Sequence, residues 1–240
     1  PCVAEMGGKN PVIVTAKADL DRAAIGIVRS AFGMGGQKCS ALSRIYVESP
    51  AADALIGRLA GAVRVLRIGD PTVRENWLGP LISESARDNC RRYVAELESG
   101  SARFVAMAAL PAGAADRGWY CAPIIAETPL DHPLWRHEMF APIATLARVP
   151  DRGTAMRLCN ESDLALTAGF YGGTDEIDWF LDRIEAGVTY VNRPQGATTG
   201  AWPGYQPFGG WKGSGSTGKG IASYYYLAQY LREQSQTVVD

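Results

Sequence analysis

Cys39 is the residue of this 240-residue chain whose type and setting are best suited to covalent chemistry. It lies in the segment GMGGQKCSALSR (33–44), where a glycine-rich turn between a predicted helix and a predicted strand can present a thiol in a cleft. Lys38 and the local main-chain N–H groups would favour the thiolate, which is the nucleophilic form. A lone cysteine is more often a small buried apolar residue, so both interpretations of Cys39 stay open at this point.

Carboxylates and histidines elsewhere supply the other candidate groups. Glu5 precedes two glycines in EMGGKNP, and by itself it reads as a surface or capping carboxylate. Glu138 and Phe140, in RHEMFAP, alone predict a turn at the start of a strand. A cysteine protease would need a histidine base, but His132 and His137 lie in no context typical of one.

The segment FGGWKGSGSTGKG (208–220) has the glycine spacing of a phosphate-binding loop. A dinucleotide fingerprint opens a helix and is followed about 20 residues later by an acidic residue. Only 20 residues follow Gly220, so no complete unit of this kind fits. A P-loop needs Ser or Thr after its lysine, and here Gly220 follows Lys219. We therefore interpret the segment as a close-packed loop whose glycines permit close backbone approach.

Composition narrows the class of protein and its partners. The formal net charge of −1 gives no basic field, which argues against nucleic acid and acidic membrane surfaces. No apolar run is long enough to cross a membrane, and we expect a soluble, cytoplasmic protein. The five cysteines are odd in number and irregularly spaced, which predicts reduced thiols and no metal site. Because the sequence does not begin with Met, we expect it to be a piece of a longer protein.

The pattern of apolar residues alternates between strands and helices. Strands are predicted at 10–15, 44–49, 103–109, 119–127, 144–149, 167–172, 188–192 and 236–239. Helices are predicted at 18–33, 51–66, 83–100 and 174–187, with a helical or mixed segment at 222–234 and a loop at 196–220. This alternation is typical of an α/β protein with a partly parallel sheet.

Five segments together resemble the aldehyde dehydrogenase superfamily. EMGGKNPVIV is similar to its ELGGK-P signature, and GGQKCSALSRIYV to its nucleophile signature, with Cys39 placed 34 residues after Glu5 as in that pattern. HEMFAPIATL, LALTAGFYG and QPFGGWKGSGSTG resemble three further elements in the same order. The resemblance covers almost the whole chain. It implies an open, mostly parallel, twisted sheet flanked by helices, with a C-terminal oligomerisation strand.

The resemblance also implies a role for each candidate residue. Cys39 would attack an aldehyde and form first a thiohemiacetal and then a thioester, which water activated by Glu5 would hydrolyse. Glu138, Phe140 and Met6 would hold the nicotinamide end of NAD, or of NADP.

Within the superfamily, GQKCSA, HPLWRHEMFAP and TTGAWPGYQPFGGWK are most similar to the 1-pyrroline-5-carboxylate, or glutamate-γ-semialdehyde, dehydrogenases of proline catabolism. This resemblance implies that main-chain N–H groups of Gly200 and Ala201 bind the substrate carboxylate. Ser40 would add a hydroxyl, and Phe208 would line the aldehyde tunnel. Two alternatives stay open: a dehydrogenase for another aldehyde, and a non-catalytic structural fragment.

The same resemblance implies a domain layout. Residues 1–212 would be the catalytic domain, 213–227 a linker returning toward a cofactor domain, and 228–240 an oligomerisation tail. The N-terminal NAD-binding half of the family is expected to be absent from these residues, so the chain alone should not oxidise aldehydes. Its expected partners are a small aldehyde and further copies of itself, as a dimer or a larger homo-oligomer.

Overall fold

Local sequence signals explain where the first elements begin. Strand β1 (Asn10–Val14) is buried along its whole length, as a central strand covered on both faces should be. Helix α1 (Leu20–Phe32) begins at Asp19, whose side chain accepts hydrogen bonds from the N–H groups of Asp21 and Arg22. The computed structural model describes residues 2–114, 118–195, 205–216 and 219–240.

The remaining elements follow in chain order. The strands are β2 (Leu42–Glu48), β3 (Arg103–Met107), β4 (Ile124–Glu127), β5 (Ile143–Val149), β6 (Leu164–Ala165), β7 (Thr167–Tyr171), β8 (Val188–Val191) and β9 (Trp211–Lys212). The helices are α2 (Ser49–Arg64), α3 (Glu84–Ser99), α4 (Arg152–Asn160) and α5 (Ile177–Leu181), with short 3₁₀ turns at Gly33–Gly36, Pro133–Trp135, Thr174–Glu176 and Leu227–Tyr230.

Seven strands form one sheet in the order β3-β4-β5-β2-β1-β7-β8. Every neighbouring pair is parallel except β3 and β4, which are antiparallel. Strands β6 and β9 form a separate antiparallel pair. The α/β fold with a mostly parallel sheet, predicted from the sequence, is confirmed.

Helices cover both faces of this sheet. Helices α1 and α2 pack on one face, and Val12 and Val14 of β1 belong to that core. Helices α4 and α5 pack on the other face, together with Ile13 of β1. The alternation of Val12, Ile13 and Val14 between the two cores is the two-residue period of a strand. A third core lies beneath α3 and the start of β5.

Two helices differ from their predictions. Helix α4 was not predicted, because it is short and contains Gly153; Asp151 begins it by accepting a hydrogen bond from the N–H of Thr154. Helix α5 ends at Leu181, six residues before its predicted end. There the Asn160 side chain bonds the backbone at 183 and 185 instead, a tertiary contact that local propensity cannot predict.

Three further differences concern a loop, a strand and the C-terminus. Strand β9 lies inside the predicted loop, because Trp211 and Lys212 pair with β6. The predicted strand at 119–127 is limited to its second half. The predicted terminal strand at 236–239 is absent, since residues 231–240 form neither helix nor strand and are exposed. A strand needs a neighbour to pair with, and this segment has none within the described part of the chain.

The prediction that all cysteines are reduced thiols is wrong for one pair. Cys90 of α3 and Cys121 are joined by a disulfide that closes a separation of 31 residues. Both belong to the core beneath α3, so the fold places them side by side, which sequence spacing could not indicate. The other three cysteines are free: Cys2 is exposed, Cys39 is partly buried and Cys159 is buried. Among the described helices, none is long and apolar enough to span a membrane.

Candidate active site

The candidate residues meet at the amino edge of the sheet. Glu5 precedes β1, Cys39 precedes β2, and Glu138 and Phe140 precede β5. These three strands are parallel neighbours, so the segments that enter them lie side by side. Open α/β sheets more often place ligands at the carboxyl edge, so topology alone would have predicted a site at the opposite edge of the sheet.

Cys39 lies in a tight turn held by Asn10. The N–H of Ala41 donates to the carbonyl of Lys38 at 3.0 Å, which closes the turn. Asn10 Nδ2 donates to the carbonyl oxygens of Cys39 and Ala41, each at 2.8 Å. Its Oδ1 accepts a hydrogen bond from the N–H of Thr167 at 2.9 Å. Asn10 therefore connects the Cys39 turn to both β1 and β7.

The environment of the Cys39 thiol contains opposing influences. Burial, the largest of them, raises the pKa of Cys39, and the nearby carboxylates of Glu138 and Glu5 raise it further. Hydrogen bonds from the N–H groups of Ser40 and of Cys39 itself lower that pKa. The expected help from main-chain N–H groups is confirmed. The expectation that the surroundings of Cys39 favour the thiolate is wrong, because burial outweighs these hydrogen bonds. Burial also lowers the pKa of the neighbouring Lys38.

Gly8 is the point at which three of these segments touch. Its N–H donates to Glu138 Oε1 at 2.9 Å, although 130 residues separate them. A Cβ built on Gly8 would lie 2.5 Å from the carbonyl oxygen of Cys39, far inside van der Waals contact. Only glycine allows the Cys39 turn to approach this closely. The Glu5 segment, the Cys39 turn and Glu138 are thereby brought together.

Glu5 is held by the glycine-rich segment near the C-terminus. It forms an isolated antiparallel bridge with Gly215, and the N–H of Met6 donates to the carbonyl of Ser214 at 3.1 Å. Partial burial raises the pKa of the Glu5 carboxylate, while a hydrogen bond from the N–H of Ile221 lowers it. A carboxylate with a raised pKa in contact with solvent is suited to take a proton from water.

The described part of the glycine-rich segment is closely packed, as the sequence predicted, although it also contains strand β9. Phe208 and Ile221 pair across it, with the Phe208 N–H donating to the Ile221 carbonyl at 2.9 Å. A Cβ on Gly209 would lie 2.8 Å from the Cα of Gly220, so the two backbone segments are almost in contact. Since Ile221 also donates to Glu5, Phe208 and the candidate base share one neighbour.

Phe140 combines strain with exposure. Its backbone φ is 50°, which is unusual for a bulky residue, and 48% of its surface is exposed. Met6 is likewise exposed, at 54%. Strained backbone at an exposed apolar residue is commonly associated with ligand binding. Phe140 therefore offers apolar surface in the Glu138 segment, and Met6 offers it in the Glu5 segment.

The structure describes only part of the predicted substrate-binding residues. Ser40 is 4% exposed, and its carbonyl accepts a hydrogen bond from Thr167 Oγ1 at 3.4 Å. A contact of its hydroxyl with substrate stays a prediction. Gly200 and Ala201 lie outside the described residues.

Lys9 is a further buried residue that sequence reasoning missed. It is fully buried, and its Nζ has no hydrogen-bond partner among the described residues. Burial lowers its pKa well below the ordinary value of 10.5, the Arg44 guanidinium lowers it further, and Glu138 raises it. The lysine of the GGK triplet was visible in the sequence, but its complete burial depends on the tertiary packing.

Cavities do not single out this site. A cavity of about 340 Å³ lies elsewhere, against β2 and the end of α4, and none of the predicted site residues lines it. A narrow crevice is lined in part by Gly8, Lys38, Glu138 and Phe140, but Cys39 and Glu5 do not line it. We place the site by the convergence of chemical groups rather than by volume, because an open edge of a sheet is not an enclosed pocket.

Comparison with known proteins shows the family to which the chain belongs. The model of the aldehyde dehydrogenase family matches residues 1–236, and the chain belongs to that family. The 1-pyrroline-5-carboxylate dehydrogenase of Bacillus mycoides (strain KBAB4) is 33% identical over 239 residues, which are 98% of this chain and 45% of that protein. The chain therefore spans about half the length of the curated relatives it matches.

Solved structures give the same result. Proline utilization A (PutA) from Bdellovibrio bacteriovorus, inactivated by N-propargylglycine, is 35% identical with a TM-score of 0.87, over 95% of this chain and 23% of that chain. The 1-pyrroline-5-carboxylate dehydrogenase from Thermus with bound NAD is 31% identical with a TM-score of 0.85, over 96% of this chain and 43% of that chain. The sheet described above is thus the fold of these proteins.

Proposed function

We propose that the protein containing this chain oxidises an aldehyde to a carboxylate with NAD, or with NADP, and that its substrate is L-glutamate γ-semialdehyde. The observation that carries the proposal is the meeting of Glu5, Cys39 and Glu138 around Gly8 at one edge of the sheet. Family membership supports the reaction. The relatives named 1-pyrroline-5-carboxylate dehydrogenase support the substrate.

Cys39 performs the covalent step in this proposal. Its thiolate adds to the aldehyde carbon, a C–S bond forms, and the carbonyl oxygen becomes an alkoxide. The N–H groups of Cys39 and Ser40, which bond the sulfur in the free chain, are main-chain donors that could stabilise this alkoxide. As the alkoxide re-forms a C=O bond, the same carbon loses a hydride, for which a nicotinamide held beside Cys39 would supply the acceptor. The sulfur then carries an acyl group as a thioester.

Glu5 completes the turnover. Its carboxylate takes a proton from water, the water oxygen adds to the thioester carbon, and the C–S bond breaks to release the acid and the Cys39 thiolate. A hydrogen bond from the N–H of Ile221 helps to hold the carboxylate in place for this role.

The residues at the edge of β5 fit a nicotinamide nucleoside. Glu138 offers a carboxylate that can accept hydrogen bonds from ribose hydroxyls, and its Oε1 already bonds the Gly8 N–H. Phe140 offers an exposed ring beside it, and Met6 offers exposed apolar surface on the Glu5 segment. We assign these three residues to the nicotinamide end of the cofactor.

Substrate recognition is proposed to involve main-chain donors. The N–H groups of Gly200 and Ala201 would bind the α-carboxylate, with the Ser40 hydroxyl and the Phe208 ring along the rest of the molecule. In the full-length protein, NADH formation with glutamate semialdehyde should exceed that with propanal, and Cys39→Ala should abolish both. Equal rates with the two aldehydes would favour the second candidate, a dehydrogenase for another aldehyde. NADH formation that survives Cys39→Ala would contradict the proposal.

The chain taken alone is proposed to hydrolyse activated esters at Cys39 without forming NADH. Ester hydrolysis needs Cys39, Glu5 and water, whereas oxidation needs a cofactor held against Cys39. We also propose that residues 228–240 mediate self-association. Their apolar side chains are exposed, with Val238 at 87% and Val239 at 88%. The domain boundaries at 212 and 227 and the cytoplasmic location stay predictions.

A further inference from the structure

Both polar atoms of the Asn10 side-chain amide make hydrogen bonds. It is 2% exposed, and its Nδ2 donates to the carbonyls of Cys39 and Ala41 while its Oδ1 accepts from the N–H of Thr167. Both N–H bonds of the amide and its oxygen are therefore used. Rotation of this side chain would break three hydrogen bonds at once, so it is a rigid support.

The peptide unit between Cys39 and Ser40 connects this support to the sulfur. Its carbonyl oxygen is the one that accepts from Asn10 at 2.8 Å. Its N–H, which belongs to Ser40, donates to the Cys39 sulfur. A peptide unit is planar, with its C=O and N–H pointing in opposite directions. Fixing the carbonyl on Asn10 therefore fixes the direction in which the N–H points.

The backbone of Gly8 packs against the carbonyl of Cys39. A Cβ built on Gly8 would lie 2.5 Å from the Cys39 oxygen and 2.5 Å from Asn10 Oδ1. The Gly8 backbone thus lies against both partners of the hydrogen bond. The peptide has little room to turn while Asn10 stays in place.

We propose that Asn10 is a positioning residue for Cys39: it holds the Cys39–Ser40 peptide with its N–H directed at the sulfur and so stabilises the thiolate. Asn10 acts through the peptide and needs no contact with substrate. The inference rests on the proposed role of Cys39 as nucleophile, but its test reads the thiol directly.

The test compares the rate of iodoacetamide labelling of Cys39 in the chain and in Asn10→Leu, from about pH 6 to about pH 10. Peptide mass spectrometry separates Cys39 from the exposed Cys2, which serves as the reference thiol within the same molecule. Losing the directed N–H should move the Cys39 midpoint to higher pH and slow labelling at pH 7 roughly three- to tenfold. The rate at high pH should stay unchanged. Asn10→Ser, which keeps one donor, should give an intermediate midpoint.

A matched control separates positioning from loss of stability. Thr15→Val removes a buried hydrogen bond to Glu176, 2.6 Å long, just beyond the far end of β1. It should lower the melting temperature without moving the Cys39 midpoint. An unchanged or lowered midpoint in Asn10→Leu, or an equal rise in Thr15→Val, overturns the inference. A raised midpoint in Asn10→Leu supports it whether or not the full-length protein oxidises an aldehyde.

Discussion

The hydroxyl of Ser214 donates a hydrogen bond to the carbonyl of Gly7 at 2.7 Å, across 207 residues of sequence. The same hydroxyl accepts the N–H of Ala165 at 3.0 Å, and Ser214 is fully buried. One side chain thus joins the glycine-rich segment, the Glu5 segment and strand β6. The segment whose glycine spacing resembles a phosphate loop therefore has a structural role, since it supports the backbone that carries Glu5.

Ser214→Ala should therefore be costly. It leaves the Gly7 carbonyl and the Ala165 N–H without a buried partner, and we expect the free energy of unfolding to fall by about 1–3 kcal/mol. Ser216→Ala is the matched control, because Ser216 makes similar bonds to Ala4 and Cys2 but is exposed. It should change stability by less than about 0.5 kcal/mol. Urea denaturation of both variants measures the difference, and equal losses would contradict this explanation of Ser214.

Lys9 should make stability depend on pH. Because its pKa is lowered in the folded chain, the unfolded chain binds more protons at this residue below about pH 10. Unfolding then takes up a proton, and this residue's contribution to stability rises as the pH increases from 7 toward 10. We expect Lys9→Met to be more stable by about 1–3 kcal/mol at pH 7, with the gain shrinking as the pH rises.

The control for Lys9 is Lys17→Met, which removes an exposed lysine paired with Asp175. It should give no gain at pH 7, since the charge of Lys17 is stabilised rather than penalised in the folded chain. Thermal unfolding at several pH values measures both variants. A gain in Lys9→Met that is independent of pH would mean that packing rather than ionisation is responsible.

Glu138 should influence the Cys39 thiol through its charge. Because its carboxylate raises the pKa of Cys39, Glu138→Gln should lower that pKa and speed iodoacetamide labelling at pH 8 by roughly two- to threefold. Glu98→Gln removes the same charge from an exposed position on α3 and should leave the rate unchanged. A slower Cys39 in Glu138→Gln would show that Glu138 acts by holding Gly8 rather than by its charge.

The range over which each signal acts explains what the sequence could predict. Cys39 was placed correctly between a helix and a strand because local glycines, apolar spacing and family signatures all act over short stretches. The contacts from Asn10 to Cys39 and from Ser214 to Gly7 join segments 29 and 207 residues apart, so no local pattern could predict them. The Cys90–Cys121 pair was missed for the same reason.

The ionisation of the site was also beyond the reach of local patterns. The neighbour Lys38 suggested an activated thiolate at Cys39, but burial of the turn outweighs that effect. Burial is a tertiary property, and it also accounts for the lowered pKa of Lys9. Charged neighbours in sequence are therefore a poor guide to the ionisation of this site without the fold.

The proposed chemistry depends on Cys39 as the nucleophile and on Glu5 as the base that frees it from the acyl group. The most direct measurement is the acyl adduct formed when the chain is treated with p-nitrophenyl acetate and mapped by peptide mass spectrometry. We expect the acetyl group on Cys39, with turnover in the parent chain. Glu5→Gln should accumulate this adduct because deacylation slows by roughly 10²-fold or more. An adduct confined to Cys2 or Cys159, or a Glu5→Gln variant that turns over as fast as the parent, would contradict these roles.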